Sequence, residues 1–387
     1  MTFANYQYEI YLAGLAGTLP ARPFTADELQ ARARETLSEG AYGYVAGGAS
    51  TEGTMRANRD ALDRWRIVPR MLRDVSARDL STTVLGTAMP APMMLAPIGV
   101  QSIVHPDGEL AVARAAAALG IPMVLSTAAS NSMEDVASAL GDSPRWYQLY
   151  WPRDTELAAS FVARAEAARY SAIVVTLDTP ILAWRPRDLS QAYLPFLRAE
   201  GVANYFSDPV FRAALAKPPE EDPQAAVGHF VTLFGNPSLT WDSLAWLRER
   251  TRLPIVLKGI VHPEDARRAV DAGVDGVIVS NHGGRQVDGA LGTLDALPAV
   301  VEAVGDRLAV LFDSGIRSGA DAFKALALGA QAVLLGRVYM WGLALAGEEG
   351  VREVVRSFLA DLDLTFALSG FTRPDELSPE CLTRIDS

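Results

Sequence analysis

The stretch at residues 309–337, A-V-L-F-D-S-G-I-R-S-G-A-D-A-F-K-A-L-A-L-G-A-Q-A-V-L-L-G-R, decides the fold. It begins and ends with short apolar runs, Ala309–Phe312 and Ala332–Leu335, and a glycine-bearing turn follows each run. Between them, Asp321 stands where a helix should begin and Gly329 where it should end, because carboxylates favour the positive end of the helix dipole and glycine readily terminates helices. The stretch therefore predicts a strand, a helix and a second, parallel strand.

The same alternation runs through the chain from about residue 90. Short apolar runs are followed each time by longer, alanine-rich amphipathic runs whose apolar residues recur every three to four positions. Besides the two above, the predicted strands are at 93–98, 123–126, 146–149, 173–177, 255–257 and 276–279. Eight such units predict an α/β fold of the (β/α)8, or TIM barrel, type, with a doubly wound open sheet as the alternative.

Two regions fall outside this rhythm. Residues 1–88, with a helical stretch at 25–37, predict an N-terminal helical cap on a barrel spanning 89–387. The segment at about 186–240 separates the fourth and fifth units by far more than the usual few residues. Its many aromatic residues do not suit a solvated tether, so we expect an ordered lid loop after strand 4. The whole chain, 1–387, is expected to form a single domain.

Composition excludes several classes of function. The formal net charge of −11 argues against nucleic acid or an anionic membrane as the main partner. A single cysteine, Cys381, and four scattered histidines leave no disulfide framework and no zinc cluster, so no metal is expected. The sequence shows neither a targeting segment nor an apolar run long enough to span a membrane. We expect a cytoplasmic protein.

Polar residues follow the predicted strands, and in a barrel of this kind the active site lies at the strands' carboxyl ends. The loops after the last two strands carry D-S-G-I-R-S-G and L-G-R, where glycine backbone N–H groups, with Arg317 and Arg337, would bind phosphate. Glycine and arginine also occur at such turns without a ligand, which is the alternative. The candidate site residues that follow the predicted strands are Pro97, Gly99, Ser126, Gln148, Tyr150, Thr176, Asp178, Lys258, His282, Arg285, Asp313, Gly315, Arg317, Gly336 and Arg337.

The segment S-N-H-G-G-R-Q, residues 280–286, places His282 three residues before Arg285. A neutral imidazole can accept a proton near pH 7, and a guanidinium can bind a carboxylate through two parallel hydrogen bonds. Asp178, at the end of another strand, could orient the imidazole, as the acid of a catalytic triad does. A lone histidine is more often structural, so this interpretation depends on its companions.

At these residues the chain resembles the FMN-dependent 2-hydroxy acid oxidase family, which includes glycolate and lactate oxidases. The resemblance covers nearly the whole chain and rests on motifs in matching order. They are Y-G-Y-V-A-G-G-A (42–49), A-P-I-G-V (96–100), Q-L-Y (148–150), T-L-D-T (176–179), W-R-P-R-D-L (184–189), L-K-G (257–259), S-N-H-G-G-R-Q, D-S-G-I-R-S-G-A-D (313–321) and L-G-R (335–337).

The resemblance implies an FMN cofactor and a role for each site residue. His282 would take the substrate proton and Asp178 would pair with it, while Lys258 would stabilise the reduced flavin. The substrate would be held by Tyr44, Tyr150, Arg185 and Arg285. The flavin would contact Pro97, Gly99, Ser126, Gln148, Thr176 and Ser280, and its ribityl phosphate Asp313, Gly315, Arg317, Gly336 and Arg337. The family also implies a homotetramer or homo-octamer.

Within the family, Gly99, W-R-P-R-D-L and the later N-Y-F-S-D-P-V-F and L-F-G stretches resemble the L-lactate 2-monooxygenase branch. That branch converts L-lactate and O2 to acetate, CO2 and water, and an ordered lid that retains the keto acid suits this outcome. The alternative is an oxidase of lactate or a bulkier 2-hydroxy acid that releases the keto acid and H2O2, since Gly99 and Ala128 could leave a roomier pocket. A remote alternative is a non-catalytic flavin-binding barrel.

Overall fold

The computed structural model of the chain describes residues 2–385 and is built around a closed barrel of eight parallel strands. Three short strands precede the barrel: β1 (Trp65–Ile67), β2 (Thr82–Val84) and β3 (Thr87–Met89). The barrel strands are β4 (Met93–Leu95), β5 (Met123–Ser126), β6 (Arg145–Leu149), β7 (Ile173–Thr176), β8 (Ile255–Ile260), β9 (Gly276–Val279), β10 (Ala309–Phe312) and β11 (Ala332–Leu335). The predicted TIM barrel is confirmed, and the open sheet is excluded because β11 pairs with β4.

Four predicted strand limits differ from the structure, two by one residue, at the start of β6 and the end of β7, and two by three residues. The first strand ends at Leu95 and not at 98, because the chain turns at that point to form the rim of the barrel. The fifth strand continues past Leu257 to Ile260, with an irregularity in its pairing between Lys258 and Ile260. Both differences lie at carboxyl ends, where the chain leaves the regular ladder.

The barrel interior is filled by side chains that alternate along the strands. Met94, Val124, Trp146 and Val174 point inward with their counterparts on the other strands and are almost completely buried. The hairpin of β2 and β3 packs against the same cluster at the amino ends of the strands. The interior is thus a packed core, and only the carboxyl rim is free to hold a site.

Helices surround the barrel, and over residues 2–385 none is long and apolar enough to cross a membrane. The last long helix is broken where Ala346 and Gly347 leave helical geometry. The helices are α1 (Asn5–Leu15), α2 (Ala26–Thr36), α3 (Glu39–Ala46), α4 (Gly53–Asp63), α5 (Gly108–Leu119), α6 (Met133–Leu140), α7 (Thr155–Ala167), α8 (Pro186–Ser190), α9 (Ala203–Phe206), α10 (Pro209–Ala213), α11 (Pro223–Leu233), α12 (Ser243–Arg248), α13 (Pro263–Asp271), α14 (Thr293–Val304), α15 (Gly319–Ala327) and α16 (Arg337–Ser369).

The N-terminal region forms helices α1 to α4, and local sequence explains where they begin. The predicted helix at 25–37 is α2, and the Thr25 side chain caps it by accepting a hydrogen bond from the backbone N–H of Glu28. Helix α4 is tied to the barrel because Arg59 forms an ion pair of 2.7 Å with Asp321 of α15. The strand β1 pairs antiparallel with β12 (Leu382–Arg384), so the segment that follows α4 meets the C-terminal part of the described chain.

The 186–240 segment is ordered by its aromatic side chains. Phe196, Tyr205, Phe211 and Phe230 are buried, and their rings pack together with centroid separations of 4.8–5.7 Å. Four helices, α8 to α11, form along this segment. The aromatic residues that argued against a solvated tether are therefore the core of this segment.

We predict that Thr87→Val destabilises the chain by about 1–3 kcal/mol, because the Thr87 hydroxyl accepts a hydrogen bond of 2.8 Å from the buried Trp146 indole N–H. Valine has nearly the shape of threonine but no hydroxyl group, so the Trp146 indole N–H loses its acceptor. Thr83→Val, at an exposed position of the same hairpin, is the matched control and should change stability by less than about 0.5 kcal/mol. Denaturant unfolding measures both, and equal effects of the two substitutions would contradict the prediction.

Candidate active site

A cavity opens at the carboxyl rim of the barrel, between the strand ends, the cap helices and the 186–240 segment. Most of the predicted site residues line it, although four do not. Asp178 and Thr176 lie in the wall of an adjoining cavity, and Gln148 and Ser280 are buried behind the surface. The lining residues predicted from sequence are Tyr44, Pro97, Gly99, Ser126, Tyr150, Arg185, Lys258, His282, Arg285, Asp313, Gly315, Arg317, Gly336 and Arg337.

The imidazole of His282 is held in place by Asp178. The Nδ1 atom lies 2.8 Å from Asp178 Oδ1, and the opposite nitrogen, Nε2, lies 3.5 Å from the Tyr150 hydroxyl and faces the cavity. His282 adopts a left-handed backbone conformation, with φ +58°, and its backbone N–H donates to Ser280 Oγ. The two residues that the sequence could not show to be in contact are therefore paired.

Gly259 makes room for this pair. Its φ of +108° suits glycine, and a Cβ atom there would lie 2.8 Å from the Asp178 Cβ and 3.0 Å from Asp178 Oδ2. Any larger residue would push the carboxylate away from His282. The L-K-G motif thus supplies both a buried lysine and the space for the neighbouring carboxylate.

The electrostatics of the pair favour a neutral imidazole beside an ionised carboxylate. Burial lowers the pKa of His282 below its ordinary value, although Asp178 opposes this. Burial alone would raise the pKa of Asp178, but His282 and Lys258 outweigh it and hold that pKa below its ordinary value. With its Nδ1–H donated to Asp178, the neutral ring presents a free lone pair on Nε2. This is the state required of a general base.

Lys258 is a buried cation at the end of β8. Its Nζ donates to Ser280 Oγ at 2.9 Å and forms an ion pair of 3.1 Å with Asp313. Burial alone would lower the pKa of Lys258, but the carboxylates of Asp313 and Asp178 outweigh it and raise the pKa, so the ammonium stays charged. Asp313 therefore faces Lys258, and the same carboxylate would repel a phosphate placed beside it.

Two half-buried guanidinium groups line the cavity, and apart from a contact of 3.8 Å between Arg337 and Met55 Sδ their hydrogen-bond acceptors are backbone oxygens. Arg285 donates to Tyr44 O and Gly47 O, and Arg337 donates to Val45 O, Gly283 O and Gly47 O. Burial, with the charge of neighbouring arginines, lowers the pKa of Arg285 to about 10 and that of Arg337 to about 9. Within residues 2–385 neither forms an ion pair, so this end of the cavity suits an external anion.

The two remaining predicted arginines differ in what they already bind. Arg185 donates to Arg285 O and to Gln286 Oε1 and lines the cavity beside Arg285. Arg317 also lines the cavity, but its guanidinium forms an ion pair of 2.8 Å with Asp27 of the cap helix α2. An anion at the Gly315 loop would have to compete with this exposed pair.

Gln148 and Ser126 form a buried polar group at the cavity wall, which Ser126 lines. Ser126 Oγ donates to Gln148 Oε1 at 3.0 Å, and the backbone N–H of Thr127 also donates to that oxygen. The Gln148 Nε2 atom is buried with no hydrogen-bond acceptor in the described chain. A buried donor without a partner is costly, so this amide is suited to a ligand atom.

Gly99 does not leave open space where its side chain is missing. A Cβ atom at Gly99 would lie 2.6 Å from the Ala128 carbonyl oxygen and 2.9 Å from its Cβ, so the backbone of the next loop fills that space. A roomier pocket, which also depends on the small side chain of Ala128, stays a prediction. What the glycine permits is a closer approach of the two loops.

Sequence reasoning missed the contribution of the cap and of one loop serine. Asn58 of α4 exchanges two side-chain hydrogen bonds with Asn281, at 2.9 and 2.7 Å, and so supports the His282 loop. Ser314, with φ +79°, accepts hydrogen bonds from the backbone of Asn281 and Gly283 and donates to Asp313. Neither has a local sequence signal, since each acts across a distance of more than 30 residues.

The fold and the site together define a TIM barrel with a half-buried histidine–carboxylate pair beside an arginine-lined cavity. The model of one protein family, described as FMN-dependent dehydrogenase, matches residues 33–384. The chain therefore belongs to this family, and it is an FMN-dependent oxidoreductase. The predicted family, fold and cofactor are confirmed, and the non-catalytic flavin-binding barrel is set aside.

Relatives and solved structures agree with this assignment. An FMN-dependent alpha-hydroxy acid dehydrogenase of Penicillium citrinum is 45% identical over 389 residues, covering 100% of this chain and 97% of that one. An L-lactate oxidase of Lysinibacillus sphaericus is 43% identical, covering 94% of each chain. The crystal structure of mandelate oxidase with (S)-4-hydroxymandelic acid superimposes with a TM-score of 0.83 at 40% identity, covering 93% of this chain and 98% of that one.

We predict that His282 titrates below about 6.5, the ordinary histidine value, in the intact protein. Asp178→Asn should lower this pKa further, because it removes the negative charge that stabilises the imidazolium. NMR titration of the four histidines measures both values. Glu264→Gln, near His262 on the exposed face of α13, is the control and should leave His282 unchanged. A His282 pKa above 6.5, or one that rises in Asp178→Asn, would falsify the prediction.

Proposed function

We propose that the chain uses FMN to oxidise small L-2-hydroxy acids, with His282 as the base and L-lactate as the preferred substrate. The observation that carries the proposal is the imidazole of His282, paired with Asp178 at 2.8 Å, beside the guanidinium of Arg285, which has no carboxylate partner within residues 2–385. The names of the relatives support it, since they are hydroxy acid dehydrogenases and oxidases. Lactate is the substrate named for one of them.

The residues of the cavity fit FMN. The Gln148 amide and the Ser126 hydroxyl supply hydrogen-bonding groups for the flavin ring, and Lys258 supplies a positive charge. Arg337 and the N–H groups near Gly315 and Gly336 suit the phosphate of FMN. We propose that the Asp313 carboxylate contacts Lys258 and the ribityl chain and not the phosphate. When bound, FMN supplies a two-electron acceptor.

The substrate carboxylate would pair with Arg285 and Arg185, whose charges lie at the same side of the cavity as the Nε2 atom of His282. Burial raises the pKa of Tyr150, so its hydroxyl stays protonated and can donate a hydrogen bond. His282 then takes the proton of the substrate, and the resulting imidazolium is stabilised by the ionised Asp178. The 186–240 segment places Phe234 against Tyr150, with ring centroids 5.4 Å apart, and excludes water there.

We predict that His282→Gln keeps FMN bound but slows its reduction by L-lactate at least 100-fold, since positioned bases commonly contribute factors of 10² to 10⁴. Anaerobic stopped-flow measurement of the flavin absorbance records the rate. His262→Gln, which changes a helix-capping histidine at the surface, is the matched control and should react at the rate of the unchanged protein. Rapid reduction in His282→Gln would refute the assignment of the base.

We further propose that the keto acid is retained and decarboxylated, so that the enzyme is an L-lactate 2-monooxygenase. The support is the ordered 186–240 segment, whose Phe196 and Phe234 line the cavity and pack on a buried aromatic cluster. A closed, rigid wall slows escape of a small product. The second candidate is an oxidase that releases the keto acid and H2O2, favoured by the similarity to L-lactate oxidase and to mandelate oxidase.

We predict that aerobic turnover of L-lactate gives acetate and CO2 in equal amounts, with little free pyruvate or H2O2. Catalase is included when acetate and pyruvate are measured, because peroxide would decarboxylate released pyruvate in solution, and peroxide is measured in a parallel reaction without catalase. Phe234→Ala, which opens the wall beside Tyr150, should divert product toward pyruvate, whereas Phe206→Ala, elsewhere in the segment, should not. Stoichiometric pyruvate and peroxide from the unchanged protein would establish the oxidase instead. A higher kcat/KM for mandelate than for lactate would contradict the choice of substrate.

A further inference from the structure

One carboxylate of the 186–240 segment lies beside Arg185 and Arg285, the arginine pair that would bind the substrate carboxylate. Asp188 is in the first turn of α8, three residues after Arg185, and its side chain is 13% exposed. Its Oδ2 atom lies 4.0 Å from Arg185 Nη1. Its Oδ1 atom is buried and has no hydrogen-bond partner in the described chain. The proposed chemistry gives this carboxylate no role.

The hydrogen bonds of Arg185 fix its guanidinium and leave Nη1 for a ligand. Nε donates to Arg285 O at 3.1 Å, and Nη2 donates to Gln286 Oε1 at 2.7 Å. Arg185 also lines the cavity. At 4.0 Å the Asp188 carboxylate is too distant to accept a hydrogen bond from Nη1, but it is near enough to act on its charge.

Arg285 is influenced by the same carboxylate. Its guanidinium carbon lies 5.1 Å from the centroid of the Tyr44 ring, at the side of the cavity. Burial and the charge of Arg185 lower the pKa of Arg285, whereas the charge of Asp188 opposes this. Burial raises the pKa of Asp188, whereas Arg285 and Arg185 oppose that change. Two guanidinium groups favour the ionised form of a nearby carboxyl, so two positive charges and one negative charge meet here.

The carboxylates nearby on other elements are already paired with other groups. Glu52 of the cap forms an ion pair of 2.7 Å with Arg187, the residue before Asp188. Asp178 binds the His282 ring at 2.8 Å. Asp188 is therefore the carboxylate that offsets the charge of the arginine pair.

We propose that Asp188 is a specificity-determining residue, which leaves the arginine pair with one net positive charge and so favours ligands with one carboxylate over dicarboxylates. The inference rests on the proposed function, in which the arginine pair binds the substrate carboxylate. The ionised Asp188 repels every anion at this position, and the repulsion is proportional to the charge of that anion. A monocarboxylic 2-hydroxy acid is repelled once, and a dianion of similar size is repelled about twice as strongly.

The test compares the binding of pyruvate and oxalate to the FMN-loaded protein, measured by the change in flavin absorbance. The two anions have nearly the same size, and a methyl group in pyruvate corresponds to a charged oxygen in oxalate. We expect Asp188→Asn to bind pyruvate about threefold more tightly and oxalate about tenfold more tightly, because the dianion gains twice the free energy. Asp188→Glu keeps the charge and should keep the oxalate-to-pyruvate affinity ratio of the unchanged chain.

The matched control is Glu221→Gln. Glu221 is exposed and belongs to the same segment, so this substitution changes the total charge of the chain equally. It should leave the affinity ratio unchanged. A rise in the ratio as large as that in Asp188→Asn would overturn the proposal, because the effect would then come from total charge.

An equal gain in affinity for the two anions in Asp188→Asn, or no gain for either, would also overturn the proposal. If Asp188→Asn does not fold, Asp188→Ala takes its place with the same expected ratio. Failure of the unchanged FMN-loaded protein to bind either anion would contradict the proposed substrate site and this inference with it. Binding of both anions with the same ratio in Asp188→Asn and the unchanged chain would contradict this inference and leave the proposed function intact.

Discussion

The half-buried guanidinium of Arg337 makes the hydrogen bonds on which the site depends. It joins three parts of the chain that are distant in sequence, because it binds Val45 O and Gly47 O of the cap and Gly283 O of the base loop, each at 3.0 Å. These oxygens are neutral, so the charge itself is uncompensated, and burial already lowers the Arg337 pKa to about 9. An anionic cofactor would compensate this charge and stabilise the same joint.

The charges around the His282–Asp178 pair differ from that of Arg337, since they are compensated within the chain. Lys258 lies between two carboxylates, Asp313 at 3.1 Å and Asp178, which raise its pKa. Asp178 in turn fixes the His282 ring through Nδ1 and leaves Nε2 for the substrate. The site thus separates a balanced cluster, which prepares a base, from an unbalanced arginine cluster, which attracts anions. The strand order brings the balanced cluster together, because β7, β8 and β9 are neighbours.

The sequence was sufficient where the signal is local or repeated. The barrel was predictable from eight alternating units, and most site residues from their position just after a strand. It was insufficient where a contact joins distant segments. Asn58 and Ser314 support the His282 loop through partners that no spacing reveals. The pairing of Asp313 illustrates the same limit, since only the structure shows its carboxylate against Lys258.

Gly99 shows how a small residue can be misread from sequence. Absence of a side chain suggests space, yet the Ala128 carbonyl occupies it, and the Val100 N–H binds that same carbonyl. The glycine therefore brings two loops together, and Glu109 joins them again from behind through Gln101 and Ser130. Because hydrogen bonds hold this wall on both sides, one loop cannot shift alone without breaking hydrogen bonds of the other. The two loops therefore determine the shape of the wall together. The effects of substitutions in the two loops should consequently not be additive.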